Sequence, residues 1–315
     1  MHQPQGFINP QYPNYVCKLH KVIYGLKQAP REWFAQLSSW LLGYGFQASK
    51  VDASLFVLTH GDLRMYLLVY VDDFIITASK ASVVDQFISD LSLAFPVKDL
   101  GTLSYFLGLE ITQMNNGLLL SQRKYIKDLL TRSKMLHAKP VTSPMAAALK
   151  LSKFDSPSFD DVTLFRSIVG SLQYLSLTRP DISYAVNKVC QFKHTPKLPH
   201  WVAIKRILRY LKATINHGLF FSSQSSFKLQ AYSDADWVGC PNDRRSMGGF
   251  CVFLSNHLIS WSSKKQRTVA RSSTKAEYKY VASSAAKLIW LQTLIFKLGL
   301  PFNQVPILWC DNIQG

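Results

Sequence analysis

Apolar residues recur along this chain at two different periods, and the switches between them mark out its elements. Behind Pro30, the residues Trp33, Leu37, Trp40 and Leu41 return at helical spacing, which predicts an amphipathic helix that stops at Gly43 or Gly45. Ser54–Leu58, Met65–Val71 and Phe74–Thr77 are short apolar runs rich in β-branched and aromatic residues, the first two parted by Gly61-Asp62, and they predict strands. Ala81–Phe95 reads as a helix, Tyr105–Gln113 and Leu118–Ser121 as a hairpin around Asn116-Gly117, and Gln122–Lys134 as another helix. The period is lost over Ala138–Ser158, which is rich in Pro, Ser and Ala and reads as a linker. Helical patterns follow at Val162–Leu177, Asp181–Lys193 and His200–Thr214, the last two behind prolines. Strands then return at Lys228–Trp237, Gly249–Leu254 and Leu258–Trp261, followed by a helix over Thr274–Leu298 and a strand over Pro306–Cys310. The last third is therefore expected to be β-β-β-α-β.

With 315 residues and 48% apolar composition, the chain can build two cores rather than one. Its charge changes the picture more: 36 Lys and Arg against 19 Asp and Glu give a net +17, spread along the sequence. Such a distribution suits a groove that follows a phosphate backbone, so nucleic acid is the expected partner. Apolar runs are too short for a bilayer span, and MHQPQGFINP has no leader pattern, so a cytoplasmic or nuclear protein is expected. Five dispersed cysteines, with no Cys-x-x-Cys pair, read as reduced and mostly buried thiols.

Two sets of acids stand out against this basic background. Asp72 and Asp73 fall between the apolar runs MYLLV and FIITA, at the expected tip of a hairpin, where turn chemistry asks for Asn-Gly or Asp-Gly. Two carboxylates ~4 Å apart repel by about 4 kcal/mol at a surface-like dielectric, and a divalent cation turns that repulsion into binding. Paired metals held by clustered carboxylates are what in-line nucleotidyl transfer requires; a solvated acidic turn is the plainer alternative. In the last third, Asp234 lies in LQAYSDADW, Glu277 near the start of a helix and Asp311 at the end of ILWCD. A crossover through that helix would set the last strand beside the first, and the three acids would converge. The competing readings are an Asp234/Asp236 surface pair or a sugar-transferase metal motif, a capping box from Thr274 to Glu277, and a turn at Asp311-Asn312.

Tyr70-Val71-Asp72-Asp73, YGLKQAPREW (Tyr24–Trp33), FPVKDLGTLSYFLGLEI (Phe95–Ile111) and SLQYLSLTRPDISYAVN (Ser171–Asn187) together resemble the copia-type LTR retrotransposon Pol polyprotein family, from about Gln3 to Asn312. The resemblance implies an α+β chain: a partial reverse transcriptase palm and thumb over residues 1–137, a linker and helical connection over 138–224, and an incomplete RNase H-like domain over 225–315. It implies Asp72 and Asp73 as polymerase metal ligands, and Asp234, Glu277 and Asp311 as nuclease ligands, with two Mg²⁺ per site. It places Lys27, Gln28 and Arg31 near nucleotide and template phosphates, Lys98 as a proton donor to pyrophosphate, and Phe106, Gly108 and Glu110 on the primer. The implied partners are RNA template, DNA primer, RNA–DNA hybrid and other fragments of the polyprotein.

Two departures from the family pattern set a further expectation. The third polymerase carboxylate of the family lies upstream of the segment at Met1, and the last nuclease carboxylate lies beyond Gly315. The chain therefore reads as truncated at both ends, with RNA-directed DNA polymerase and hybrid ribonuclease as ancestral activities and with the isolated chain inactive or reduced to nucleic-acid binding.

Overall fold

The computed structural model of the chain describes residues 1–19, 23, 25–146, 149, 151–154, 156–223, 228–300 and 304–311. They form two compact units, Met1–Asp99 and Leu100–Gly315.

In the first unit, Pro30 opens α1 (Ala29–Tyr44), whose last turn is closed by Gly45 in the left-handed region at φ 111°. The predicted stop is thus the second of the two glycines. A two-residue strand β1 (Gln47–Ala48), too short to show a period, leads into an antiparallel meander of β2 (Leu55–His60), β3 (Leu63–Tyr70) and β4 (Asp73–Ala78). Helix α2 (Ala81–Ala94) follows. Leu37 and Leu41 of α1, Phe56, Met65 and Leu67 of the sheet, and Phe87 and Leu91 of α2 make one buried core.

The second unit opens on a sheet that the hydrophobic pattern shows only in part. The run expected as one strand is broken at Leu107-Gly108, both at positive φ, into β5 (Tyr105–Phe106) and β6 (Leu109–Met114). A Cβ on Gly108 would collide with the Tyr174 hydroxyl, which donates to the Leu107 carbonyl. After β7 (Gly117–Ser121) and α3 (Arg123–Arg132), the chain builds α4 (Val162–Leu175), a 3-10 turn at Pro180–Ile182, α5 (Ser183–Cys190) and α6 (Leu198–Ala213). β8 (Leu219–Ser222), absent from the sequence expectation, pairs with β7 and completes a sheet in the order β5-β6-β7-β8.

The segment expected as a linker is irregular, yet it is packed. Leu151 is buried in the helical core, and α6 holds the stretch through basic side chains one turn apart. Arg206 donates to the Ser143 carbonyl and hydroxyl, Arg209 to the Lys139 carbonyl, and Lys212 to the Ala138 carbonyl. Backbone acceptors without a ladder are satisfied this way, which local composition does not reveal.

The last part has the expected order: β9 (Leu229–Ala235), β10 (Met247–Leu254), β11 (His257–Lys265), α7 (Ser273–Lys297) and β12 (Ile307–Cys310). β12 lies parallel beside β9, giving the strand order β11-β10-β9-β12. Leu229, Ala231 and Val252 pack against Leu288, Leu291 and Ile295 of α7. Cysteine burial departs from expectation: Cys240 is buried, Cys17, Cys190 and Cys251 are half-buried, and Cys310 is exposed. Among the described residues no helix is long and apolar enough to cross a membrane.

Candidate metal centres

The first acidic pair sits at the β3–β4 turn, but not as its two central residues. Tyr70 pairs with Asp73, so the turn itself is Val71-Asp72, and Asp73 already belongs to β4. Val71 adopts φ 52°, a region that a β-branched residue enters only under strain. The indole of Trp33, on α1, donates to the Val71 carbonyl at 3.0 Å and fixes this turn to the helix. Both carboxylates are exposed. Among the described residues no third carboxylate, thiol or imidazole joins them as a compact ligand group.

The other residues assigned by resemblance fall into two sets. Lys27, Gln28 and Arg31 are exposed at the start of α1, where Gln28 is the N-cap residue, and Lys98 is exposed near the end of the first unit. Tyr24, from the same motif, lies outside the described residues. Phe106, Gly108 and Glu110 belong to the second unit, and two of them have internal tasks. Gly108 makes room for Tyr174, and the Glu110 carboxylate accepts from the Lys124 backbone N–H in the first turn of α3.

The second group of acids is held by β9, α7 and β12. Ser272, not Thr274, caps α7 by accepting from the Lys275 N–H. Glu277 is thereby freed from a capping box and turns to β9, where it accepts from the Ala235 N–H at 3.0 Å. It is buried, and ligand atoms of Glu277, Cys310 and Asp311 lie within 4.8 Å of one another. Asp234 is exposed on the neighbouring strand and lies within electrostatic reach of Glu277. Burial, aided by the charges of Asp234 and Asp311, pushes the Glu277 carboxyl above its usual range, against the Ala235 N–H and the Cys310 thiol. Asp236 is engaged elsewhere: its carboxylate accepts from the Met247 N–H at the start of β10. Cys310 is the residue that sequence reasoning passed over. Its signal was adjacency to Asp311 at a strand end, where one carboxylate's neighbour also reaches the helix.

The positive charge is only partly free for a partner. Besides the three cations on α6, the buried Arg179 pairs with the partly exposed Asp181 at 2.6 Å, and Lys265 pairs with Asp243 at 2.8 Å.

Residues 1–147 match the reverse transcriptase (RNA-dependent DNA polymerase) family. Over 313 residues, 99% of the chain, it is 51% identical to the retrovirus-related Pol polyprotein from transposon RE1 of Arabidopsis thaliana and 49% identical to that from transposon RE2. The chain belongs to the copia-type retrotransposon Pol polyproteins. It spans about a fifth of those two relatives, covering 21% and 22% of their lengths. An uncharacterised mitochondrial protein of the same plant is 50% identical over 226 residues, with 72% of this chain and 94% of that protein covered. The reverse transcriptase match runs through the first unit and on past α3 of the second.

Proposed function

We propose that the chain carries the polymerase palm and thumb over residues 1–137, a helical connection over 138–224 and an RNase H-like domain over 225–315. The ancestral activities of this region are RNA-directed DNA synthesis and cleavage of RNA in an RNA–DNA hybrid. The observation that carries the nuclease part is the convergence of Glu277 and Asp311, with Asp234 on the adjacent strand, made by the parallel pairing of β12 with β9. Those three carboxylates are hard oxygen donors suited to Mg²⁺, whereas the Cys310 sulfur is not a ligand such an ion selects. When bound, the ions would activate water and stabilise the leaving oxygen of a phosphodiester.

The polymerase part is supported by the Val71-Asp72 turn, which presents Asp72 and Asp73 to solvent from a hairpin pinned by Trp33. Among the described residues no third ligand joins this pair, and two carboxylates hold two metals poorly, so the isolated chain is expected to bind primed template without extending it. Lys27, Arg31 and Lys98 would then meet phosphates, and Phe106 the primer. The test is primer extension on RNA with Mg²⁺, run beside binding of an RNA–DNA hybrid across salt concentrations. Extension that disappears in Asp72→Asn would overturn the inactive reading. Hybrid affinity that stays flat between low and physiological salt would remove the nucleic-acid reading altogether.

A further inference from the structure

Where α7 meets the end of β12, a thiol stands among carboxylates. A Glu277 oxygen, the Cys310 sulfur and an Asp311 oxygen lie within 4.8 Å of one another. Mg²⁺ takes oxygen and leaves sulfur aside, whereas zinc and the divalent metals nearest it take thiolate as well as carboxylate. Cys310 is exposed at the last position of β12, so an ion reaches it from solvent without opening the fold.

A second observation concerns Glu277 itself. The residue is 8% exposed, yet only one of its oxygens is well served. Oε1 accepts from the Ala235 N–H at 3.0 Å, while Oε2, among the described residues, meets only the Cys310 thiol, at 3.9 Å. Among the described residues no Lys, Arg or His forms an ion pair with Glu277 or Asp311. A buried carboxylate with one oxygen turned to a thiol and no cation beside it has the electrostatic need of a metal ligand. Bonds of about 2.0–2.3 Å hold tetrahedral ligands roughly 3.3–3.7 Å apart, so groups already within 4.8 Å close on an ion by about 1 Å, which the exposed Cys310 and Asp311 can supply.

We propose that Glu277, Cys310 and Asp311 form a site for a thiophilic divalent cation of the zinc class, with water as the fourth ligand. Binding forms a metal–sulfur bond and sends the Cys310 thiol proton to solvent, with no change of oxidation state. The site takes two of the carboxylates that the nuclease reading gives to Mg²⁺, so its occupation would switch that centre off. The inference itself rests on the placement of the three side chains and not on the nuclease reading.

The test uses the full chain and Co²⁺ as the probe, because a cobalt–thiolate bond adds a near-ultraviolet charge-transfer band that oxygen ligands do not. Stoichiometric Co²⁺ should raise the band, and Zn²⁺ should abolish it by displacement. Cys310→Ser, at an exposed position, should remove the band and lower cobalt affinity by about 100-fold, since even an outer partner of a metal ligand contributes 10–100-fold. In the unaltered chain, Zn²⁺ should slow alkylation of Cys310, mapped by mass, and leave Cys17 as reactive as before, an arm that needs no variant. Asp234→Asn removes a ligand of the nuclease reading but none of this site, and should keep the band. Mg²⁺-dependent cleavage of an RNA–DNA hybrid is measured separately, and cleavage absent with the band present sinks the nuclease reading alone. No band, a band that survives Cys310→Ser or is lost in Asp234→Asn, or alkylation of Cys310 that Zn²⁺ does not slow overturns the proposal.

Discussion

Val71 and His200 show how single side chains of this chain are set by their surroundings rather than by their own preferences. At φ 52° Val71 is strained, while glycine reaches that region freely. Val71→Gly is therefore expected to be more stable than Val71→Ala by about 1 kcal/mol in urea unfolding, the reverse of their order in an ordinary strand. Trp33→Phe keeps the ring packing but loses the donor to the Val71 carbonyl, and should cost about 1 kcal/mol in the same assay. His200 is buried at the start of α6, stacked on Phe192 with ring centroids 3.7 Å apart. Its Nδ1 accepts from the Lys197 N–H, so Nε2 carries the proton toward the Ser152 carbonyl and the ring is neutral. Burial lowers its pKa below the usual 6.5, aided by Lys197 and opposed by the Ser152 carbonyl. The unfolded chain thus binds the proton more readily, and the contribution of neutral His200 is full above pH 6.5 and lost as pH falls toward the folded value. Over that window stability should fall by at most about 1.4 kcal/mol per pH unit, and His200→Gln should flatten the dependence. An unchanged pH profile in the variant would assign the acid sensitivity elsewhere.

At the scale of elements, what the hydrophobic pattern showed and what it missed divide along physical lines. Helices α1, α2 and α7 and the β9–β12 order were legible because each buries a face through a repeated period. β1 and β8 were not, since two and four residues hold too little period, and β8 exists because β7 offers an edge. The packed strap over residues 138–146 was illegible for another reason: its partners, Arg206, Arg209 and Lys212, lie far along the chain and read as surface charge. Replacing Arg206 and Arg209 with Met should leave the helices intact but release the strap, and limited proteolysis should then cut first within residues 138–146. Protection equal to that of the parent chain would show that Leu151 and its apolar neighbours hold the segment alone. Arg179 is a stronger tie. It binds Asp181 and both the carbonyl and hydroxyl of Thr214, joining the start of α5 to the end of α6, while Tyr210 donates to the same carboxylate. Burial opposes ionisation of Asp181, but the Arg179 guanidinium outweighs it and holds the carboxyl below its usual range. Arg179→Met leaves Asp181, partly exposed, to Tyr210 and to water, and removes the donors to Thr214, at a cost of roughly 2 kcal/mol by urea unfolding.

For the whole molecule, net charge and hydrophobic content were legible early, while the division of the cores was not. Two compact units part between Asp99 and Leu100, because α3 buries Ile126, Leu129 and Leu130 in the same cluster as α4, α5 and α6. A helix belongs to the core that covers its apolar face, whatever the composition of the segment after it. The carboxylates show the same limit: Glu277 and Asp311 could be expected to meet from the β-α-β order, but Cys310 joined them only once β12 was in register beside β9. Among the described residues, the core of the first unit, around Leu41 and Phe87, contains none of the second, and the cluster around Leu208 contains none of the first. Cavities made in one should therefore report on that one. Leu41→Ala, at a fully buried site, is expected to cost about 2–5 kcal/mol and to raise amide exchange across α1, β2–β4 and α2. Leu208→Ala, equally buried, should do the same across α3–α6 while leaving the first unit's exchange unchanged. Exchange measured by mass spectrometry on both variants decides the matter: if either substitution loosens both units to the same extent, they unfold as one cooperative body.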